Sequence, residues 1–85
     1  MFLLYRMAKK VTIYSTQFCT WCRRTKEFFK ENGIKYEEKD VGNDLKAAKE
    51  MIKKSGQQGV PVIDIEGEIF VGFDENALKK ALGIK

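Results

Sequence analysis

Cys19 and Cys22 are the only two cysteines among 85 residues, and the sequence contains no histidine. Sulfurs two residues apart can cycle between dithiol and disulfide, hold a metal, or staple the backbone. The staple contributes little, because stabilisation grows with the length of chain enclosed. A tetrahedral zinc site draws on four Cys or His ligands, so one chain falls short of it. Two chains together would reach four thiolates around zinc or an iron–sulfur cluster. Redox cycling needs a stabilised sulfur anion. A thiol with a pKa of ~8.5 is only about 3% ionised at neutral pH, whereas one lowered to ~6 is roughly 90% ionised. The free N–H groups and the dipole at a helix N-terminus provide that lowering. Cys19 is expected at or just before the first turn of a helix, exposed, as the attacking nucleophile. Cys22 is expected one turn on and facing inward, as the resolving thiol. Attack by Cys19 on a disulfide gives a mixed disulfide, which Cys22 resolves by closing the Cys19–Cys22 bond. Arg23, Arg24 and Lys26 add positive charge that solvent screens.

Positioning the pair falls to the surrounding elements. Val11-Thr12-Ile13-Tyr14 reads as a short buried strand, and Ser15 to Phe18 as the loop that delivers Cys19. A helix follows from about Thr20 to Glu31, with Cys22, Thr25, Phe28 and Phe29 on its inner face, and Asn32-Gly33 stops it. Ile34 to Val41 alternates as a second strand with Ile34, Tyr36 and Val41 as its apolar members. Asp44 caps a helix from Leu45 to about Lys54, whose inner stripe reads as Leu45, Ala48, Met51 and Ile52. Ser55-Gly56 ends it. Val60 to Ile65 forms a third strand, Glu66-Gly67 a hairpin turn and Glu68 to Val71 a fourth strand. A last helix from Asp74 to Leu82, capped by Asp74, buries Ala77, Leu78, Ala81 and Leu82. The order β-α-β-α-β-β-α predicts an α/β thioredoxin fold: a four-stranded mixed sheet flanked by helices, with a parallel first pair and an antiparallel closing hairpin.

Residues 1–85 read as one domain, with 1–9 a leading segment and the core at about 10–83. Hydrophobic residues make up 44% of the chain, which excludes a disordered polymer. The net charge of +4 comes from 16 basic and 12 acidic residues. They are interspersed, as in Lys26-Glu27 and Lys49-Glu50, and describe a solvated surface rather than a nucleic-acid face. No stretch is apolar enough to span a membrane. The Met1-Phe2-Leu3-Leu4-Tyr5 run is shorter than a signal-peptide core and lacks a small-residue cleavage site. It reads as a leader remnant, an extra edge segment or an upstream start, since Met7-Ala8-Lys9-Lys10 also makes a plausible start. The expected location is the reducing cytoplasm, where a cysteine pair is more often catalytic or metal-binding than structural.

Three further residues or motifs each admit two readings. Trp21 either lines a groove beside the exposed thiol or packs the interior. Gly59-Val60-Pro61 opens a strand with an ordinary trans bond, or else with a cis-proline that leaves the Val60 backbone free for an extended substrate. Gly72-Phe73-Asp74 holds a carboxylate on free helix N–H groups, or is simply a turn and a cap.

Taken in order, Val11-Thr12-Ile13-Tyr14-Ser15 leading to Cys19-Thr20-Trp21-Cys22, Ser55-Gly56-Gln57 running into Val60-Pro61, and Gly72-Phe73-Asp74 resemble the glutaredoxin family and its hydrogen-donor redoxin relatives, over about Lys10 to Leu82. The resemblance implies a disulfide-reducing enzyme with Pro61 in cis and the Val60 backbone paired to glutathione or a peptide. It implies that the amides of Phe73 and Asp74, with the Asp74 carboxylate, hold the γ-glutamyl end of glutathione. Gln57 would contact the glycine end, and Thr20 and Trp21 would lie against the substrate. Thr20 and Trp21 replace a common Pro-Tyr pair, and Thr16 and Gln58 stand where the family often has Lys and Arg. Loss of those cations weakens the hold on the glycine carboxylate. A monomer without a tightly bound cofactor is expected, with disulfides as substrates and glutathione or a thioredoxin-reductase-type flavoprotein as reductant. The alternative is a dimeric carrier of an iron–sulfur cluster or zinc between Cys19 thiolates, with glutathione as further ligands. A third reading, an electron donor dedicated to one enzyme such as a ribonucleotide reductase, shares the same chemistry and differs only in partner.

Overall fold

A computed structural model describes residues 9–84. The readings of the leading segment as leader, edge segment or upstream start lie outside the described residues. Strand β1 (Val11–Ser15) is followed by helix α1 (Thr20–Glu31), β2 (Glu37–Asp40), α2 (Leu45–Ser55), β3 (Val62–Ile65), β4 (Glu68–Val71) and α3 (Glu75–Leu82). The sheet order is β2-β1-β3-β4. β1 runs parallel to β2, and the β1–β3 and β3–β4 pairs are antiparallel. This is the thioredoxin fold, in the element order the periodicity predicts.

Alternation along the central strands assigns their side chains to two faces. Val11, Ile13, Ile63 and Ile65 pack with Phe28 and Phe29 of α1 and with Leu78 and Leu82 of α3. On the opposite face Tyr14 and Val62 pack with Met51 of α2. Phe29 and Ile13 are fully buried, and the Phe29 ring lies 5.4 Å from that of Tyr36.

Helix α2 corrects the expected inner stripe. Ala47 and Met51 are buried, while Leu45 is 71% and Ile52 39% exposed. At about 100° per residue, Leu45 and Ile52 lie roughly 140–160° around the helix from Ala47. The rotation has a polar cause. Tyr14 is fully buried, and a buried hydroxyl needs partners. Its O–H donates to the Glu50 carboxylate, and the Lys54 ammonium donates to its oxygen at 2.9 Å. The face that brings Glu50 and Lys54 to Tyr14 excludes Leu45 and Ile52.

The second strand is also shorter than the alternation suggests. Ile34 and Tyr36 pack on the core from outside the ladder, and the paired residues are the four charged ones, Glu37–Asp40. Glu38 shares the parity of Ile34 and Tyr36. Its carboxylate accepts from Ser15 Oγ at 2.7 Å and Lys26 Nζ at 2.8 Å, and these two partners hold its pKa below the usual value. The third strand begins at Val62 rather than Val60, because Val60–Pro61 lies before the ladder as a cis peptide.

Candidate functional site

Helix α1 begins at the dithiol because Cys19 itself serves as the cap. Its backbone is extended (φ −96°, ψ 110°), and its Sγ accepts the Cys22 N–H at 3.0 Å. Cys22, one turn later, is 1% exposed, whereas Cys19 is half-buried. The two are joined as a disulfide with Cα atoms 5.2 Å apart. No acidic side chain occupies the first turn of α1, so no local negative charge opposes an anion at Cys19. Thr25 anchors the next turn, its hydroxyl donating to the Trp21 carbonyl at 2.7 Å.

Strand register brings the other landmarks to the same end of the sheet. Tyr14 pairs with Val62, so Pro61 lies beside the C-terminal end of β1, from which the loop runs to Cys19. Val62 pairs with Val71, and the Gly72 N–H donates to the Pro61 carbonyl at 2.8 Å. Gly72-Phe73-Asp74 therefore leaves the sheet next to the cis-proline. Trp21 closes the circuit, its ring stacked on that of Phe73 with centroids 6.2 Å apart and planes inclined by 24°. The Phe73 ring also meets the Phe28 ring at 5.7 Å and lies under the Arg24 guanidinium at 5.8 Å.

Each residue singled out in the sequence now has a place. Trp21 is 60% exposed and lies on the site surface rather than in the interior. Thr20 opens α1 and is exposed. Among the described residues, neither the Val60 backbone nor the N–H groups of Phe73 and Asp74 make a hydrogen bond. The Asp74 carboxylate does cap α3, one oxygen accepting the Ala77 N–H at 3.2 Å. Gln57 is turned into its own loop: its Nε2 donates to Ser55 Oγ at 3.2 Å and to the Gly59 carbonyl at 3.0 Å, and its Oε1 accepts the Gly59 N–H. These bonds lie within the loop that leads into Val60–Pro61. Two features escaped the sequence reading: the placement of Arg24 on Phe73, and Phe18, 91% exposed immediately before Cys19. Adjacency to the dithiol was the only available signal for Phe18.

Among the described residues no three His, Cys, Asp or Glu side chains converge on a metal position. With Cys22 almost inaccessible, a four-ligand site does not fit a single chain. A second polar cluster lies away from the dithiol. Lys10, Thr12, Lys39, Glu50, Lys54, Asp64, Glu66 and Gly67 line a cleft of about 250 Å³, and none of the dithiol, Val60–Pro61 or Gly72–Asp74 residues belongs to it. Its three lysines face three carboxylates. The Tyr14 hydroxyl and then Lys39 hold Glu50 at a pKa of about 2. Burial pushes the Asp64 carboxyl up, but the Lys54 ammonium and the Gly67 N–H outweigh that and leave it below its usual value. Lys54 is raised by Asp64 first and Tyr14 second. Glu50 and Lys54 of α2 pair there with Tyr14, Lys39 and Asp64 of the sheet, which ties the helix to the strands.

A cysteine capping the first helix, its partner buried one turn later, and a cis-proline at the same end of a thioredoxin-type sheet define a dithiol redoxin. The sequence profile of the Glutaredoxin family matches residues 11–71. The chain belongs to the glutaredoxin family. It is 43% identical over 72 residues to an uncharacterised glutaredoxin-like 8.6 kDa protein in the rubredoxin operon of Clostridium pasteurianum, covering 85% of this chain and 96% of that one. Over 65 residues it is 32% identical to glutaredoxin 3 of Escherichia coli K12, covering 76% and 78% of the two chains. The solved glutaredoxin of Archaeoglobus fulgidus superposes with a TM-score of 0.80 at 27% identity, over 93% of this chain and 92% of that one. No helix among the described residues is long and apolar enough to cross a membrane.

Proposed function

We propose that the protein is a thiol–disulfide oxidoreductase that reduces protein or small-molecule disulfides, with Cys19 attacking and Cys22 resolving. The observation that carries this reading is the Cys22 N–H directed at Cys19 Sγ at 3.0 Å, at the open end of a helix. A Cys19 thiolate would accept the same N–H and so be favoured over the thiol. It attacks one sulfur of the substrate disulfide, forming a Cys19–substrate bond and expelling the other sulfur as a thiolate. Cys22, deprotonated as it attacks Cys19 Sγ, closes the intramolecular disulfide and releases the second substrate thiolate. Two electrons pass to the substrate. Two glutathione molecules return them, leaving as glutathione disulfide.

The free backbone of Val60 and the amides of Phe73 and Asp74 support an extended thiol peptide lying across the site, with the second Asp74 oxygen open to its ammonium group. Trp21 and Thr20 border the position of its sulfur. A monomer acting in the cytoplasm suits this chemistry, because one chain carries every part of the site and a reducing compartment keeps the pair cycling. Replacing Cys19 with Ser is expected to abolish disulfide reduction, and Cys22→Ser to accumulate a mixed disulfide detectable by intact mass. Full activity in the Cys19 variant would overturn the assignment. Oxidised protein reduced by NADPH with a thioredoxin reductase, but not by glutathione, would replace glutathione as the reductant.

A further inference from the structure

The site contains a charge arrangement beyond the dithiol and the backbone amides. Arg24 projects from the second turn of α1, and its guanidinium lies 5.8 Å from the centre of the Phe73 ring. That ring is also stacked against Trp21 and braced by Phe28, so the cation rests on a platform held by two other rings. Planar guanidinium groups favour such stacking and keep their in-plane N–H donors available. Arg24 has one acidic neighbour among the described residues, Glu27 at 3.8 Å, with both side chains about half exposed. A pair that long and that exposed competes weakly for the cation. Thr16, in the loop before Cys19, and Gln58, in the loop before Pro61, carry no charge.

We infer that Arg24, held on Phe73, is a binding residue for a carboxylate of the thiol substrate, and in particular for an α-carboxylate lying beside Gly72-Phe73-Asp74. The inference rests on the proposed glutathione-dependent reaction and names the residue that selects the charged end of the tripeptide. Arg24 approaches from the α1 side while Asp74 offers a carboxylate from the α3 side, so the pair presents opposite charges to the two charged groups of an amino-acid end. A guanidinium fork matches a carboxylate with two parallel hydrogen bonds.

The test follows reduction of the Cys19–Cys22 disulfide through the fluorescence of Trp21, the single tryptophan. Three thiols are compared: glutathione, glutathione amidated at the γ-glutamyl α-carboxylate, and glutathione amidated at the glycine carboxylate. The natural protein is expected to prefer glutathione over the α-amidated form by about fivefold, the scale of an exposed charge pair. The preference over the glycine-amidated form is expected to be smaller. Arg24→Gln removes the first preference, and Arg24→Lys keeps part of it, because charge survives but the planar fork does not. A preference unchanged in Arg24→Gln overturns the inference, as does one directed at the glycine carboxylate instead. If dithiothreitol reduces the disulfide and none of the three glutathione forms does, the glutathione reading itself falls and the inference with it.

Discussion

Removing the side-chain acceptor at the start of α1 should separate the stability role of residue 19 from its chemistry. The experiment compares Cys19→Ser with Cys19→Ala under reducing conditions, so that no disulfide contributes. Both variants lack the nucleophile and are expected to be inactive. They differ in whether the Cys22 N–H, 3.0 Å from Sγ in the structure, retains an acceptor. Serine is a favoured cap, and exchanging a capping residue for alanine costs about 0.5–2 kcal/mol. Cys22 is 1% exposed, so water is poorly placed to replace the lost partner and the upper half of that range applies. For a domain of this size 1 kcal/mol shifts the melting temperature by about 4–8 °C. Cys19→Ala is therefore expected to melt roughly 5–16 °C below Cys19→Ser, read by circular dichroism. Melting points within about 1 °C of each other would refute the claim that the side chain of residue 19 holds the helix end.

Further predictions concern the parts that hold the site in place. Glu50 has its pKa lowered from 4.5 to about 2, so the stability it contributes is complete above pH 4.5 and is lost as pH falls towards 2. Its side chain is 38% exposed, which limits the effect to about 1 kcal/mol; urea midpoints should drop across this window and drop less in Glu50→Gln. Phe29→Ala empties a fully buried position and should cost about 3–5 kcal/mol in urea unfolding, out of a total of about 5–15 kcal/mol for a typical protein. Thr20→Pro substitutes the first residue of α1, a position that tolerates proline, and should change stability by less than about 0.5 kcal/mol.

The sequence displayed most clearly what depends on local pattern. The α1 face of Cys22, Thr25, Phe28 and Phe29 is buried as the spacing implies, because four side chains on one helical stripe have one core to enter. Asp44 and Asp74 cap α2 and α3, since an extended residue with a carboxylate before a helical run satisfies free N–H groups whatever the tertiary setting. Helix α2 departs from its apolar periodicity because its orientation answers to the hydroxyl of Tyr14, a residue on a strand remote in sequence, and periodicity does not encode that demand. β2 is shorter than the alternation suggests for a related reason: its ladder consists of four charged residues, none of them buried, and the partners of Glu38, Ser15 and Lys26, lie on β1 and α1. The contact of Arg24 with Phe73 is hidden because it joins α1 to the turn after β4, which meet only once the sheet has formed. The cysteines, the Val60–Pro61 step and the Gly72–Asp74 turn were visible as motifs, and only strand register placed them at one end of the sheet.

The acidity of the Cys19 thiol tests the account most directly, measured through the ultraviolet absorbance of the thiolate as pH is raised in a Cys22→Ser background. Ionisation centred more than about one unit below the ordinary thiol value of ~8.5 is the predicted result. A midpoint at or above ~8.5 would mean that the helix end does not stabilise the anion, and would contradict the assignment of Cys19 as the attacking sulfur.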